Sequence, residues 1–246
     1  MKAFRLAGVV AAVFLAGCTS YQTPGSGVSI PEITSPSIAE AMARKPAASW
    51  PARLIVVRVQ GAGYQSYTNR GYGQGRFTVV TARDVETEAD FKRIGAMPDV
   101  AAVGMLNRLL LPGNLDSALD LRNAAAQLQG DIVVMYTIDT TFRTETDQIG
   151  PMQLVSLGFF PNKKAKVSST CALALVDTRT GYVYGVAEST SNEDQRSDLW
   201  NSQEAIEKAR ARAERGAFNG ALGELEKLWA QVSTAQAAGG QVNASP

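Results

Sequence analysis

From Arg53 to Gln60 the chain is β-branched and almost continuously apolar, which predicts a largely buried first strand. Arg76–Ala82 predicts a second strand and Asp131–Asp139 a third. Val167–Val176 and Tyr182–Glu188, joined by the turn residues Asp177–Gly181, predict a hairpin. Helical signals lie between and after these runs. Thr87 caps a short helix that ends near Gly95. Pro98 sits in the first turn of another, which Pro112 and Gly113 end. Asp116 caps a third, in which Ala118, Leu121, Ala125 and Leu128 recur at three and four before Gly130 stops it. A long final helix is expected from about Asn201 to Val232, with Asn201 as cap and Glu204 three residues on. Its stripe of Ile206, Ala209, Ala213, Ala217, Ala221, Leu225 and Leu228, widened by Leu222 and Trp229, predicts a face turned to a core. Glu204 with Lys208, and Arg210 with Glu214, read as pairs on its flanks. Gly216, Gly220 and Gly223 each cost about 1 kcal/mol relative to Ala inside a helix, so they predict close backbone approach or a break. The fold class is α/β (α+β), a mixed β-sheet of about five strands packed with helices and ending in that long helix. The elements make one domain over residues 51–232, followed by a frayed, disordered tail over 233–246.

The chain of 246 residues carries more than this domain at its amino end. Lys2 and Arg5 precede an apolar run, Leu6–Ala16, too short to cross a bilayer of ~30 Å as a helix. Leu15-Ala16-Gly17-Cys18 then resembles a bacterial lipoprotein signal. That resemblance implies a signal peptide over 1–17, cleavage after Gly17, and diacylglyceryl and acyl chains such as palmitate on Cys18. Several chains on one cysteine anchor firmly where one alone is marginal. Thr19 stands where an Asp would favour the inner membrane, so the resemblance implies the outer membrane, with the domain facing the periplasm. Residues 18–50, with Pro24, Pro31, Pro36 and Pro46, read as a flexible tether containing one helical turn near Ile38–Met42. As a coil, its length spans about 30 Å.

Charge and composition remove whole classes of chemistry. Lys and Arg total 24 against 23 Asp and Glu. Loss of Lys2 and Arg5 leaves 22 against 23, so no net basic field is left to attract nucleic acid. There is no histidine, which excludes Ser-His-Asp and Cys-His catalysis and His-bearing zinc sites. The other cysteine, Cys171, lies among strand residues and reads as a small buried side chain; with Cys18 lipidated it has no partner for an internal disulfide. Asp84, Glu86, Asp139 and Asp177 are the carboxylates that an acid–base enzyme would use. They fall at strand ends and turns, where local hydrogen bonding already explains them. The expectation is therefore no enzyme, no cofactor and no metal.

Two segments remain as contact candidates. Gly61–Gly75 follows a strand but has Ser66 where a dinucleotide fingerprint needs its third glycine, and it does not open a helix. Its Tyr64, Tyr67 and Tyr72 serve either as a contact surface or as packing on the domain's own rim. Thr141–Lys166 is long for a structureless loop. Leu154, Phe159 and Phe160, followed by Lys163, Lys164 and Lys166, suit insertion into a membrane or a partner. A flap folded back over the sheet is the favoured reading, because isolated domains rarely expose such patches.

Leu121–Ile138, a helix closing at Gly-Asp before a hydrophobic strand, and the hairpin of Val176–Tyr184 resemble a recurring envelope-protein unit. The unit occurs in the curli-secretion lipoprotein, the peptidoglycan-synthase activator lipoproteins and the TolB amino-terminal domain. The resemblance covers roughly Arg76–Trp229 and implies helices layered on a mixed sheet. That unit has a helix between its first two strands, whereas Gly61–Gly75 is too glycine-rich for one, so strand order is left open. Its members share no catalytic motif. The expected function is a non-enzymatic, lipid-anchored module that binds or scaffolds an unidentified envelope protein or cell-wall component. The alternative is a homo-oligomeric, ring-forming secretion-channel component, for which Met152–Phe160 is the membrane-hairpin candidate.

Overall fold

A computed structural model describes residues 27–30, 37–66, 68–146, 163–197 and 202–242. In chain order the elements are α1 (Ile38–Ala43), β1 (Ala52–Gly61), β2 (Gln74–Gly75), β3 (Phe77–Val80), α2 (Glu88–Gly95), β4 (Val100–Met105), β5 (Asn114–Leu115), α3 (Ala118–Gln127), β6 (Ile132–Thr146), β7 (Lys163–Asp177), β8 (Val183–Ser197) and α4 (Ser202–Val242). Six strands form one mixed sheet, and β2 pairs with β5 as a small ribbon.

The apolar run of β1 is explained by its place in the middle of this sheet. One edge runs parallel to β6, from Leu54 opposite Ile132 to Arg58 opposite Tyr136. Its other edge is shared. The first half pairs in parallel with β4, and the second half pairs antiparallel with β3. β6, β7 and β8 continue as an antiparallel meander. Alternate side chains then go to opposite layers. Leu54, Val56, Ile132, Val134 and Ile138 face α4, while Ile55, Val57, Val59, Val133 and Met135 face α3.

The helices end where their sequences stop them. Asp90 Oδ2 accepts from the Thr87 amide at 2.7 Å, and Asp120 Oδ2 accepts from the Ser117 amide at 2.9 Å. The third helix is thus capped at Ser117, one residue later than the expected Asp116. After α3, Gln129 takes a positive φ of 56° and the Gly130 amide donates to Ala125 O. A side chain at Gly130 would run into Ile55, so this turn must be bare.

Several expected elements differ. The helix expected after Pro98 is strand β4 followed by a 3₁₀ turn at Arg108–Leu110. Its β-branched valines find a parallel partner in β1, and tertiary pairing overrides a weak local preference. The meander strands are longer than their apolar runs: Thr146 pairs with Lys163, and Lys163 with Ser197. Of the expected 141–166 insertion, residues 141–146 and 163–166 belong to the paired strands β6 and β7, and the remainder, 147–162, on which the expected flap falls, lies outside the described residues. α4 passes Gly216, Gly220 and Gly223 without a break and continues beyond Val232 to Val242, its final turns rich in the strong helix former Ala.

The same helix carries the predicted core face. Ala209, Ala213, Ala217, Ala221, Leu225 and Trp229 are fully buried, joined by Phe218 and Leu222. Side chains at Gly216 and Gly220 would meet Ser191 and Ser189 of β8, so the glycines let the helix backbone lie directly on the strand. The end of the tether also belongs to the folded body. Ala47 donates its amide to Asp177 Oδ2 at 2.6 Å, and Trp50 stacks on Trp229 with ring centroids 5.0 Å apart.

Candidate functional site

Three groups of side chains stand out beyond ordinary packing. The first is a buried ionic cluster between the sheet and α4. Arg58 projects from β1 into the α4 layer and is 2% exposed. Its Nη1 lies 2.8 Å from Asp84 and 3.8 Å from Glu86, and its Nη2 lies 3.6 Å from Glu214. Arg58 also donates to the Tyr64 hydroxyl at 3.1 Å, and Tyr136 donates to Glu86. Arg210 closes the cluster by bonding both Glu207 and Glu214, while Thr140 donates to Glu214 at 3.0 Å. Burial opposes the charge on Arg58, but Tyr64, Glu214, Tyr136 and Asp84 outweigh it and raise its pKa above the ordinary guanidinium value. Burial, then Glu86, hold the Tyr136 hydroxyl in its neutral form far into alkali. Arg210 and Glu214 are therefore interior residues, not the flank pair their spacing suggested.

The second group pins the end of the tether. Asp177 accepts from the amides of Ala47, Arg179 and Thr180 and from the Tyr184 hydroxyl. Burial works against its negative charge. The bonds from Thr180, Ala47, Tyr184 and Arg179 prevail and hold the carboxyl below the usual range. Asp131 accepts from the Arg53 amide and pairs with Arg179 at 3.3 Å.

The third is an apolar groove on the sheet face opposite α4, beyond the cover of α3. Its volume is about 520 Å³, and its walls include Met135, Thr137, Ala174 and Val186. Val28 and Ile30 of the tether form a further wall. The Val28 amide donates to Thr137 Oγ1 at 3.2 Å, and that hydroxyl donates to Gln60 Oε1 at 2.7 Å. The groove thus joins residues from the tether, β1, β6, β7 and β8, with Val186 67% exposed at its rim. A polar hollow beside β4 holds Arg83, which pairs with Glu88 at 3.0 Å and stacks over Phe91.

The expected contact residues are distributed as follows. Tyr64 is 1% exposed and lies in the ionic cluster, which removes it from any contact surface. Tyr72 is half buried, packs into the α3 layer and pairs its backbone with Val79. Tyr64 is thus an interior residue and Tyr72 packs against the domain itself, where Gly71 and Gly73 let the loop lie flat on Thr78 and Leu115. Lys163 and Lys164 open β7, opposite Thr146 and Glu145 of β6. Cys18, Tyr67, Leu154, Phe159 and Phe160 lie outside the described residues. Of the four candidate carboxylates two meet at one arginine and the other two lie apart. Asp84 and Glu86 serve Arg58, Asp177 holds the tether, and Asp139 is exposed on β6. Cys171 is buried in β7, and burial pushes its thiol up to about 12, far from a reactive thiolate. Among the described residues no cluster of three or more acidic or Cys side chains is placed to hold a metal, and no helix is long and apolar enough to cross a membrane.

The architecture is that of an α+β domain with a mixed sheet between unequal helical layers. No family model matches the chain, and no curated protein matches its sequence. Among solved structures it is similar to a protein from Xanthomonas campestris, at 13% identity over 77% of this chain and 91% of that one, with a TM-score of 0.38. It is also similar to a neuraminyllactose-binding hemagglutinin homolog from Helicobacter pylori, at 8% identity over 79% and 94%, with a TM-score of 0.39. A lipoprotein from Neisseria meningitidis aligns at 10% identity over 66% and 96%, with a TM-score of 0.29. Likenesses this loose transfer no function.

Proposed function

We propose that the chain is a lipid-anchored protein of the outer membrane. Its periplasmic domain binds or scaffolds another envelope component without catalysing a reaction. The observation that carries this reading is the signal ending at Leu15-Ala16-Gly17-Cys18, followed by a tether that docks on a folded domain. The non-enzymatic part draws support from the engagement of Asp84 and Glu86 by Arg58 and of Asp177 by the tether, and from the raised thiol of Cys171. The groove on the open sheet face offers the binding surface.

The test is fractionation of wild-type and Cys18→Ala protein, with intact masses of the extracted chains. A lipid-sized mass increment at Cys18, and loss of membrane association in the variant, are expected. Unmodified Cys18 in a membrane-bound wild type refutes the anchor. The second reading, a ring-forming channel component, is favoured by one feature: strands β6 and β7 stay paired out to Thr146 and Lys163, and the apolar run Met152–Phe160 falls in the sequence between those ends. Light scattering of the detergent-extracted protein separates the two. A large homo-oligomer supports the ring; a monomer or dimer with a specific companion supports the binding module.

A further inference from the structure

We propose that the groove on the open sheet face holds an acyl chain of this protein's own Cys18 anchor whenever the protein is outside a bilayer. The inference rests on the lipid-anchor reading above and names the ligand of its groove.

Several observations on the groove converge. Its volume, about 520 Å³, lies within the roughly 300–1,000 Å³ usual for small-ligand sites. Met135, Ala174, Val186, Val28 and Ile30 give it apolar walls. The Thr137 hydroxyl, a polar group in its wall, is already engaged by Val28 and Gln60. Beyond Ser29 and Glu188 in the lining, a ligand rich in hydrogen-bonding groups would find few partners there, whereas a hydrocarbon chain asks for none. Transfer of its methylenes out of water is favourable in proportion to the area covered.

The tether selects the source of that chain. It enters at the groove itself, with Val28 bonded to its floor. Eight residues, Thr19–Ser26, lie between Cys18 and Gly27, a reach of at most about 30 Å. Those eight include Tyr21 as their single large apolar side chain, so the peptide upstream cannot itself fill an apolar cleft. Glu188 stands at the wall of the groove. Its carboxylate repels the head of a free fatty acid, while an acyl chain in ester or amide linkage at Cys18 brings no charge. An attached chain also arrives at high effective concentration, which a free amphiphile does not.

The experiment labels the anchor in cells. Cells expressing the full chain are fed a fatty acid bearing a diazirine near its end. The lipidated protein is extracted, freed of detergent and irradiated, and cross-linked peptides are mapped by mass spectrometry. Intramolecular cross-links from Cys18 to Met135, Ala174 or Val186 are expected. They should be largely lost in Val186→Asp, a change at an exposed rim position that leaves the fold intact by circular dichroism. Leu109→Asp, at an exposed site elsewhere, should keep them. A lipidated Cys18 with no groove cross-links overturns this inference and leaves the anchor standing. An unmodified Cys18 overturns both. Equal groove labelling of Cys18→Ala protein by the free diazirine fatty acid overturns the choice of the protein's own anchor as the source.

Discussion

Gly216, Gly220 and Gly223 look alike in the sequence of α4, but only two of them touch β8, so replacing each by Ala should give opposite signs. An alanine inside a helix gains about 1 kcal/mol over glycine. At Gly223 the nearest group to an added methyl is Arg93 Nη2 at 3.9 Å, ordinary contact. Gly223→Ala should therefore stabilise the domain by about 1 kcal/mol. At Gly220 the added methyl would stand 2.9 Å from Ser189 Cβ, and at Gly216 it would stand 2.9 Å from Ser191 Cβ. A serine hydroxyl can rotate away, but its Cβ moves only with the strand. Overpacking of this kind costs about 1–3 kcal/mol, which cancels or exceeds the helical gain. Gly220→Ala should thus destabilise by up to about 2 kcal/mol, and the Gly216/Gly220 double substitution by more. Urea unfolding measures these differences directly. In thermal unfolding 1 kcal/mol corresponds to about 2–4 °C for a domain of this size. Ser189→Gly combined with Gly220→Ala should recover part of the loss, because the methyl then has room. Equal stabilisation by all three alanines would refute the seating of α4 on β8.

Arg58→Met leaves Asp84, Glu86 and Glu214 without their shared cation and should cost about 3–5 kcal/mol; a urea midpoint close to wild type would show that the cluster is not a unit. Asp177 and Asp90 have carboxyls held below the unfolded value of about 3.9. Burial opposes the charge of Asp90, and bonds from Arg215 and Thr87 prevail. Their stabilising contribution is complete above the unfolded pKa and disappears as pH falls through the lower folded values. Stability should therefore be level between about pH 5 and 7 and drop below about pH 4, with a shallower drop in Asp177→Asn. Stability that rises on acidification would contradict this. In the folded protein Cys171 should react with a disulfide reagent near neutral pH only as fast as the domain opens, since its thiol is buried and pushed up to about 12.

Much of the fold was legible from local pattern. β1, β3, α2 and the β7–β8 hairpin lie where β-branched runs, caps and turn residues put them. The alanine stripe of α4 is buried as its spacing requires. β4 was not legible, because Val100–Met105 mixes alanine with valine after a proline and only its pairing with β1 decides its state. The polar cluster was missed for a different reason. Arg210 and Glu214 have the spacing of a surface pair, yet they continue the row of Phe218 and Leu222 into the core. The available signal was Arg58, a charge inside the most apolar strand. The groove has no local signature, because its walls come from residues more than a hundred positions apart, such as Val28 and Thr137.

The divided edge of β1 bears on the order in which the domain can assemble. Arg58 meets Val80 after 22 residues, Val56 meets Met105 after 49, and Leu54 meets Ile132 only after 78. A chain that emerges amino end first, from a ribosome or through a membrane pore, presents β1 long before β6 arrives to cover its other side. Until then Leu54–Val59 is an apolar strand with an open ladder, the kind of segment that templates aggregation. The antiparallel hairpin with β3 can close early, and it guards only the second half. A domain with this order of pairing should therefore depend, while its chain emerges, on whatever keeps emerging chains apart.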